Sequence, residues 1–300
     1  MTALIGLIKR DTKLFFKDKG MFFTSLITPL ILLVLYGTFL GNVYEETFRS
    51  SLEAFGASVP DKLIGGCVGG ELASSLLAVC CVTVAFCSNM LMVQDKVNGA
   101  RSDLTISPVK KGTLALGYYI STLISTLLIC FTATGVCLLY IANVGWYMSV
   151  ADVFLLLLDV FLLVMFGTAL SSIINHFLSS QGQISAVGTV ISAGYGFICG
   201  AYMPISQFSD GLQKVISFLP GTYATSLIRN HTLRGVFEEM GNQNFPAEVV
   251  SGIKDSVDCN LYFFGEKVEL NTMYLILVGA VILLIAVYVL LNAVRIKKRR

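Results

Sequence analysis

Charged segments and long apolar runs alternate along this chain, and the sharpest change falls between residues 94 and 112. The charged residues of this segment are Asp95, Lys96, Arg101, Asp103, Lys110 and Lys111. An ionised side chain at the bilayer centre costs about 2.5–3.5 kcal/mol, so the segment lies in water between runs that lie in the membrane. Basic residues outnumber acidic ones there, which predicts a cytoplasmic loop.

The composition supports a membrane location. The chain of 300 residues is 55% hydrophobic and 13% charged, whereas roughly a quarter of the residues in soluble domains are charged. The net charge of +2 does not indicate a nucleic-acid partner, because the basic residues cluster beside apolar runs instead of on one face of a domain. We therefore expect an all-α integral membrane protein.

The apolar runs predict six membrane-spanning helices, each long enough to cross roughly 30 Å of hydrocarbon. The predicted spans cover residues 21–40, 63–93, 113–142, 153–174, 184–202 and 271–294. The polar, mildly acidic residues 41–62 predict an external loop. Six spans return the chain to its starting side, and the basic tail Arg295, Lys297, Lys298, Arg299 and Arg300 indicates that both termini are cytoplasmic.

The first twenty residues predict an amphipathic helix at the membrane interface. Lys9, Lys13 and Lys17 fall at steps of four on one face, and apolar residues fill another. The basic face would lie against anionic lipid headgroups.

Two acidic residues fall inside predicted spans. Glu71 lies just inside the second span, where a hydrogen-bonded or protonated carboxyl near the outer interface is the first expectation. Asp159 lies two turns beyond Asp152 in the fourth span, and an acid at that depth is a functional candidate. The alternative is that Asp159 pairs with a polar group of a neighbouring helix.

Residues 204–269 predict re-entrant helices followed by an external subdomain. Phe208, Leu212 and Val215 begin a helical spacing that ends near Pro220, and a second short helix is expected from Thr222. These helices would re-enter the membrane or lie flat on its outer side, and an ordinary loop remains the alternative. The acidic residues that follow, 235–269, predict the external subdomain.

No metal or catalytic constellation is visible in the sequence. The two histidines are far apart, and seven of the eight cysteines fall in apolar runs. The remaining one, Cys259, could pair with Cys199 near the outer surface. The sequence contains no nucleotide-binding loop and no hydrolase motif, so we expect no enzyme but a passive pathway, an ion-coupled carrier or one subunit of a machine whose motor is elsewhere.

Several motifs in a fixed order resemble the permease subunit of type 2 ATP-binding-cassette exporters. The charged loop ends in Leu104, Thr105, Ile106, Ser107, Pro108 and Val109. After the fifth predicted span come Gly200, Tyr202, Met203, Pro204 and Ile205, and then Leu219, Pro220, Thr222, Tyr223, Leu227, Arg229, Leu233, Arg234 and Gly235. Together with the interfacial helix, this order covers nearly the whole chain.

The resemblance implies a coupling helix within residues 94–104 that docks on a separate ATPase subunit, which would bind ATP and magnesium. The implied docking residues are Gln94, Asp95, Lys96, Arg101, Asp103 and Leu104, helped by Lys9, Arg10 and Lys13. The chain departs from the common family pattern at Gln94, Asn98 and Ser102, where acidic or glycine residues often occur.

The resemblance also implies that two permease chains, identical or sister, pair around a path for an amphipathic, drug, lipid or glycan-like cargo. Candidate path residues are Phe86, Asn89, Asp159, Tyr195, Phe197 and Arg229. The expected location is a bacterial plasma membrane. Two alternatives remain: an ion-coupled carrier that uses Asp159 and Glu71, and a non-transporting membrane immunity or receptor protein.

Overall fold

The computed structural model describes residues 2–53, 60–107 and 109–294 of the chain. The helices are α1 (Thr2–Lys17), α2 (Lys19–Leu35), α3 (Gly41–Glu53), α4 (Asp61–Asn89), α5 (Leu91–Val97), α6 (Ala100–Ile106), α7 (Lys111–Val144), α8 (Val150–Phe177), α9 (Gln181–Ile198), α10 (Asp210–Ile216), α11 (Pro220–Asn242), α12 (Ala247–Ser256) and α13 (Leu270–Val294). Strands β1 (Tyr262–Phe263) and β2 (Glu266–Lys267) form one antiparallel hairpin. The predicted basic tail and Pro108 lie outside the described residues.

Within the described residues, five helical segments are long and apolar enough to cross a membrane. These segments are Lys19–Ser50, Asp61–Val97, Lys111–Val144, Val150–Phe177 and Leu270–Asn292. The all-α membrane fold expected from the sequence is therefore confirmed. We call the end of the bundle that carries α1, α5 and α6 the α1 end, and the opposite end the α12 end.

The fifth predicted span corresponds to α9, which has 18 residues and begins with Gln181 and Gln183. It is too polar to count among the five apolar segments. However, α9 lies along α2 from the level of Asp18 to the level of Tyr36, since both helices line one cavity over that distance. Because the composition of α9 does not place it among these segments, the count of six spans stays a prediction.

Residues 41–53 were predicted as loop, and the structure corrects this. The helix of the first span passes through a π-helical segment, Tyr36–Leu40, and continues as α3. Phe48 of α3 is buried. Although α3 is polar in composition, its apolar residues lie on one face of the helix. Burial of that face stabilises a helix where the polar sequence had indicated a loop.

Helix α4 is the centre of the bundle, and its glycines permit close helix packing. A β-carbon at Gly65 would overlap the Val144 carbonyl at the end of α7, and one at Gly70 would lie 2.5 Å from a Leu233 methyl group of α11. These glycines therefore let α7 and α11 approach α4 closely.

Helix α11 also differs from the sequence-based prediction. A short helix was predicted from Thr222, but α11 has 23 residues and begins at Pro220, which occupies the first turn. Pro is favourable in that position because its missing N–H would have no helical partner. Most residues from Gly221 to Met240 are buried against the bundle. The segment after α11 forms α12 and the β-hairpin.

Candidate functional site

The charged loop folds into two short helices, α5 and α6, joined by Gly99 in the left-handed conformation (φ 82°). The exposed residues of α6 include Ser102, Asp103 and Thr105. Ile106 is 84% exposed, which is the largest exposed fraction among the large apolar side chains of the described residues. The α6 part of this loop therefore presents an exposed apolar side chain, Ile106, among polar ones.

Asp95 is buried and joins α5 to α1 and α7. The Arg10 guanidinium donates to both carboxylate oxygens, at 2.8 and 3.1 Å. The Tyr118 hydroxyl donates to Asp95 Oδ2 at 2.6 Å. Asp95 and Arg10 were both predicted to contact the ATPase, but in this structure they bind each other. The Asp95 hydrogen bond raises the pKa of Arg10, which keeps the guanidinium charged.

Asp11 lies beside this cluster and was not singled out from the sequence. It belongs to the buried face of α1 with Leu7 and Phe15, at helical spacing. Arg10 donates to Asp11 Oδ1 at 2.6 Å. Burial raises the pKa of Asp11 to about 6, against the opposing effect of Arg10.

Lys96 joins α5 to the end of α8. Its ammonium donates to the carbonyls of Asn175, His176 and Leu178 at 2.8, 2.8 and 2.9 Å. Carbonyls in the last turn of a helix have no helical donor and carry the negative end of the helix dipole. A cation with three donors satisfies them, so α5 and α8 are held together.

The remaining predicted docking residues differ in exposure. Lys9, Lys13 and Asp103 are exposed. Gln94, Arg101 and Leu104 are half-buried, and Leu104 packs against a cluster that contains Leu7 and Tyr118. The predicted set thus divides into a rigid base, formed by Asp95, Lys96 and Arg10, and an outward surface.

A cavity of about 1040 Å³ lies between α2, α9 and the α1 end of α4. Its lining is mainly apolar, with hydroxyl groups from both long helices. The hydroxyl-bearing residues are Thr24, Thr28, Tyr36, Ser185, Thr189, Ser192 and Tyr202. Asp18, Gln94 and Gln181 line its α1 end, and Phe197 and Tyr202 line the other. Asp18 is the one formally charged residue in this lining, so the cavity suits an amphipathic molecule.

The structure places one of the six predicted path residues, Phe197, in this cavity. Phe86 is buried in the core. Asn89 donates to the hydroxyls of Ser171 and Ser172, both at 2.9 Å. Tyr195 is buried too. These three residues therefore connect helices and do not line the cavity.

Arg229, another predicted path residue, forms a buried charge cluster. Its guanidinium lies 2.8 Å from Glu71 Oε1 and 3.3 Å from Asp258 Oδ2. It also donates to the Gly200 carbonyl at 2.7 Å. Burial raises the pKa of Asp258, opposed by the Arg229 charge. Glu71, expected near an interface with a modest role, has Arg229 as its partner.

Asp159 forms a second buried cluster. Its two carboxylate oxygens lie 2.5 Å from His231 Nδ1 and 2.6 Å from the Tyr274 hydroxyl. This arrangement matches the alternative considered for Asp159, in which the carboxylate pairs with polar groups of neighbouring helices. His231 and Tyr274 were missed from the sequence, because each is distant from Asp159 along the chain and no motif joins them.

The eight cysteines are free and buried, Cys199 and Cys259 included. Among the residues that the structure describes, no three His, Cys, Asp or Glu side chains lie close enough to hold a metal ion. The sites with chemical capacity are therefore the α5–α6 surface, the cavity and the two buried charge clusters.

Comparison with known proteins places the chain in a family. No curated protein matches it. The sequence profile of the family described as ABC-2 type transporter matches residues 2–232, from α1 into α11. That range includes α5, α6 and the cavity helices, and it carries no nucleotide-binding domain. The chain therefore belongs to the ABC-2 type transporter family, and it is a multi-pass membrane permease subunit of the ABC exporter type.

Proposed function

We propose that this chain works with a separate ABC ATPase, which binds ATP and magnesium and docks on α5 and α6. The α1 end then faces the cytoplasm of a bacterial cell, with both termini on that side of the plasma membrane. The observation that carries the proposal is the exposed surface of α6 on a rigid base. The docking surface, as we use the term, consists of Lys9, Lys13, Ser102, Asp103, Thr105 and Ile106.

The physical chemistry of this surface suits a soluble protein partner. Burial of an exposed Ile side chain contributes about 1.5–3 kcal/mol. Charges of both signs around it set the register of the partner and repel wrong ones. Asp95 and Lys96, which hold α5 to three other helices, support this surface without contacting the partner.

Two chains, identical or sister, would pair so that their α2 and α9 helices enclose the cargo path. Both helices expose large apolar residues, including Phe23 (61%), Phe39 (64%) and Val190 (68%). The cavity between them supports an amphipathic cargo, such as a drug, a lipid or a glycan-linked lipid. The carrier alternative is less well supported, because its two carboxylates, Glu71 and Asp159, are held by Arg229 and His231 and do not line the cavity.

ATP hydrolysis by the co-purified complex tests the docking proposal. The chain is purified in mild detergent with the ATPase that accompanies it, in native form and as Ile106→Asp. We expect Ile106→Asp to lower both the bound ATPase and the hydrolysis rate at least about tenfold, which corresponds to about 1.4 kcal/mol. Val150→Asp is the matched control, since Val150 is 75% exposed at the opposite end. Equal loss in both variants, or in neither, contradicts the docking surface.

The cavity has its own test. Thr189→Trp places a large side chain in the cavity, whereas Leu139→Trp changes an exposed residue of α7, outside the cavity lining and the proposed pairing helices. We expect the first to abolish stimulation of ATP hydrolysis by amphipathic compounds while the second retains it. Retained stimulation in Thr189→Trp would show that cargo takes another route.

A further inference from the structure

Helix α11 is rich in polar residues, but most of it is buried. Its buried residues include Arg229, His231 and Thr232. A buried helix of this composition needs a partner for each polar side chain, because an unpaired polar group in a low-dielectric interior is costly. The partners show which elements must move together with α11.

The first set of partners lies on α4. Arg229 pairs with Glu71 at 2.8 Å and donates to Ser75 Oγ at 3.1 Å. The Thr232 hydroxyl donates to the Gly70 carbonyl at 3.1 Å. These contacts, with the close approach of Leu233 to Gly70, fix α11 on the α12-end half of α4.

The second set lies on α8. His231 bonds Asp159, which also accepts the hydroxyl of Tyr274 from α13. One helical turn away, Arg234 lies 2.9 Å from Asp152. A β-carbon at Gly235 would overlap the Tyr147 carbonyl just before α8. Helix α11 is thus bound to α8 as well as to α4.

The same two helices hold the docking surface at the other end of the bundle. Met90 alone separates α4 from α5, and Lys96 of α5 binds the last carbonyls of α8. Apolar helix faces can slide past each other, but buried ion pairs resist displacement because separation leaves an uncompensated charge. A displacement of α5 and α6 therefore reaches α11 through α4 and α8.

The third set of contacts joins α11 to the end of α9. Arg229 donates to the Gly200 carbonyl at 2.7 Å, just beyond the end of α9. Thr222 donates to the Ile198 carbonyl at 3.4 Å. The nearby residues Phe197 and Tyr202 line the α12 end of the cavity. Helix α11 thus connects the α4–α8 pair to the wall of the cavity farthest from the docking surface.

We propose that α11 transmits the movement of the docking helices to the α12 end of the cavity, with Arg229 and His231 as its positioning residues. This inference rests on the proposed function, since the ATPase supplies the movement. When nucleotide shifts α5 and α6, α11 displaces the end of α9 and changes the exit of the cavity. Arg229 and Asp159, expected to contact cargo, act instead through other residues.

Two fluorescent reporters test this transmission in the complex with the ATPase. All eight native cysteines are buried, so a bimane fluorophore will label a new surface cysteine selectively. Val97→Cys, an exposed position of α5 outside the docking surface, reports the docking helices, and Phe197→Cys reports the far end of the cavity. Emission from each is measured before and after addition of ATP and magnesium.

The variants are Asp159→Asn, which is isosteric, and Arg229→Lys, which keeps the charge. We expect both variants to retain the response at position 97 and to show a response at position 197 that is at least about fivefold smaller, the lower end of usual coupling between sites. Arg49→Met is the control, because it removes the contacts of Arg49 with Glu45 and Asp61 outside α11. It should respond at both positions.

The other outcomes are decisive as well. A full response at position 197 in both variants overturns the role of α11. A native complex without a response at position 97 refutes docking itself, and the inference falls with it. If Arg229→Lys fails to assemble, Asp159→Asn decides the question, because its side chain has the same shape and retains a hydrogen bond.

Discussion

Replacement of Arg229 by Met is the most informative perturbation of this fold. The guanidinium is 1% exposed and lies against Glu71, which is 0% exposed, and Asp258. Met fills similar apolar volume but carries no charge. Both carboxylates then lose their cation, and the Gly200 carbonyl loses its side-chain donor.

The expected loss of stability follows from the burial of the Arg229 and Glu71 ion pair. Removal of one partner from a buried pair costs about 3–5 kcal/mol, because the remaining charge is uncompensated. Glu71→Gln should cost less, about 1–3 kcal/mol, since Arg229 keeps Asp258 as its partner. In the double variant the Glu71 charge is absent when Arg229 is lost. We therefore expect the double variant to be about 2 kcal/mol more stable than the sum of the single losses predicts.

The assay is reversible unfolding in mixed detergent micelles, followed by circular dichroism for the native chain, both single variants and the double variant. The exposed pair Arg49 and Asp61, 3.0 Å apart, supplies a control cycle through Arg49→Met and Asp61→Asn. Exposed pairs contribute little because water replaces the lost partner, so that cycle should be additive. Additivity in the Arg229 and Glu71 cycle would refute the argument that the buried charges depend on each other.

Three further predictions use the same unfolding assay. Gly235→Ala should lower the free energy of unfolding by about 1–3 kcal/mol, because the new β-carbon would meet the Tyr147 carbonyl. The control is Gly241→Ala in the same helix, whose β-carbon would meet nothing within 4 Å and should leave the stability unchanged. Equal effects of the two substitutions would contradict the close contact. Asp11→Asn should gain stability relative to the native chain as pH rises from 5 to 8, since a pKa raised to about 6 makes the native fold lose stability on ionisation of this carboxyl. A pH-independent difference would show that the ionised form is not disfavoured. Lys96→Met should destabilise by about 2–4 kcal/mol through the loss of three charge-assisted bonds, and Lys96→Arg should restore part of this; no loss would mean that water serves the α8 carbonyls equally well.

The apolar spans could be predicted from the sequence because hydrocarbon imposes a length and a composition on each helix. The last predicted span, residues 271–294, differs from α13 by one residue at its start. Helix α11 shows the limit of the method. Its polar residues indicate a surface segment, and their partners Glu71 and Asp159 are far away in the chain, so burial cannot be read from local composition.

Only part of the candidate site could be predicted from the sequence. The charges of residues 94–112 indicated a loop in water, but not that Asp95 and Lys96 would turn inward while Asp103 turns outward. Their directions depend on Arg10, Tyr118 and the end of α8, which no local pattern contains. Phe197, predicted as an aromatic residue near the outer half of the fifth span, does line the cavity, whereas Asn89 donates to hydroxyl groups of α8.

The packing of α1 also bears on how the chain is made. Leu7 of α1 is covered by Leu114 and Tyr118 of α7, and Gly117 provides the space for it. Synthesis of the residues between them takes about 5–20 s at usual elongation rates. During that interval α1 has no α7 to cover its apolar face. If α1 lies at the membrane interface as the sequence predicts, the membrane surface would cover that face until α7 is inserted, and the packing of α1 on the bundle would be a late step.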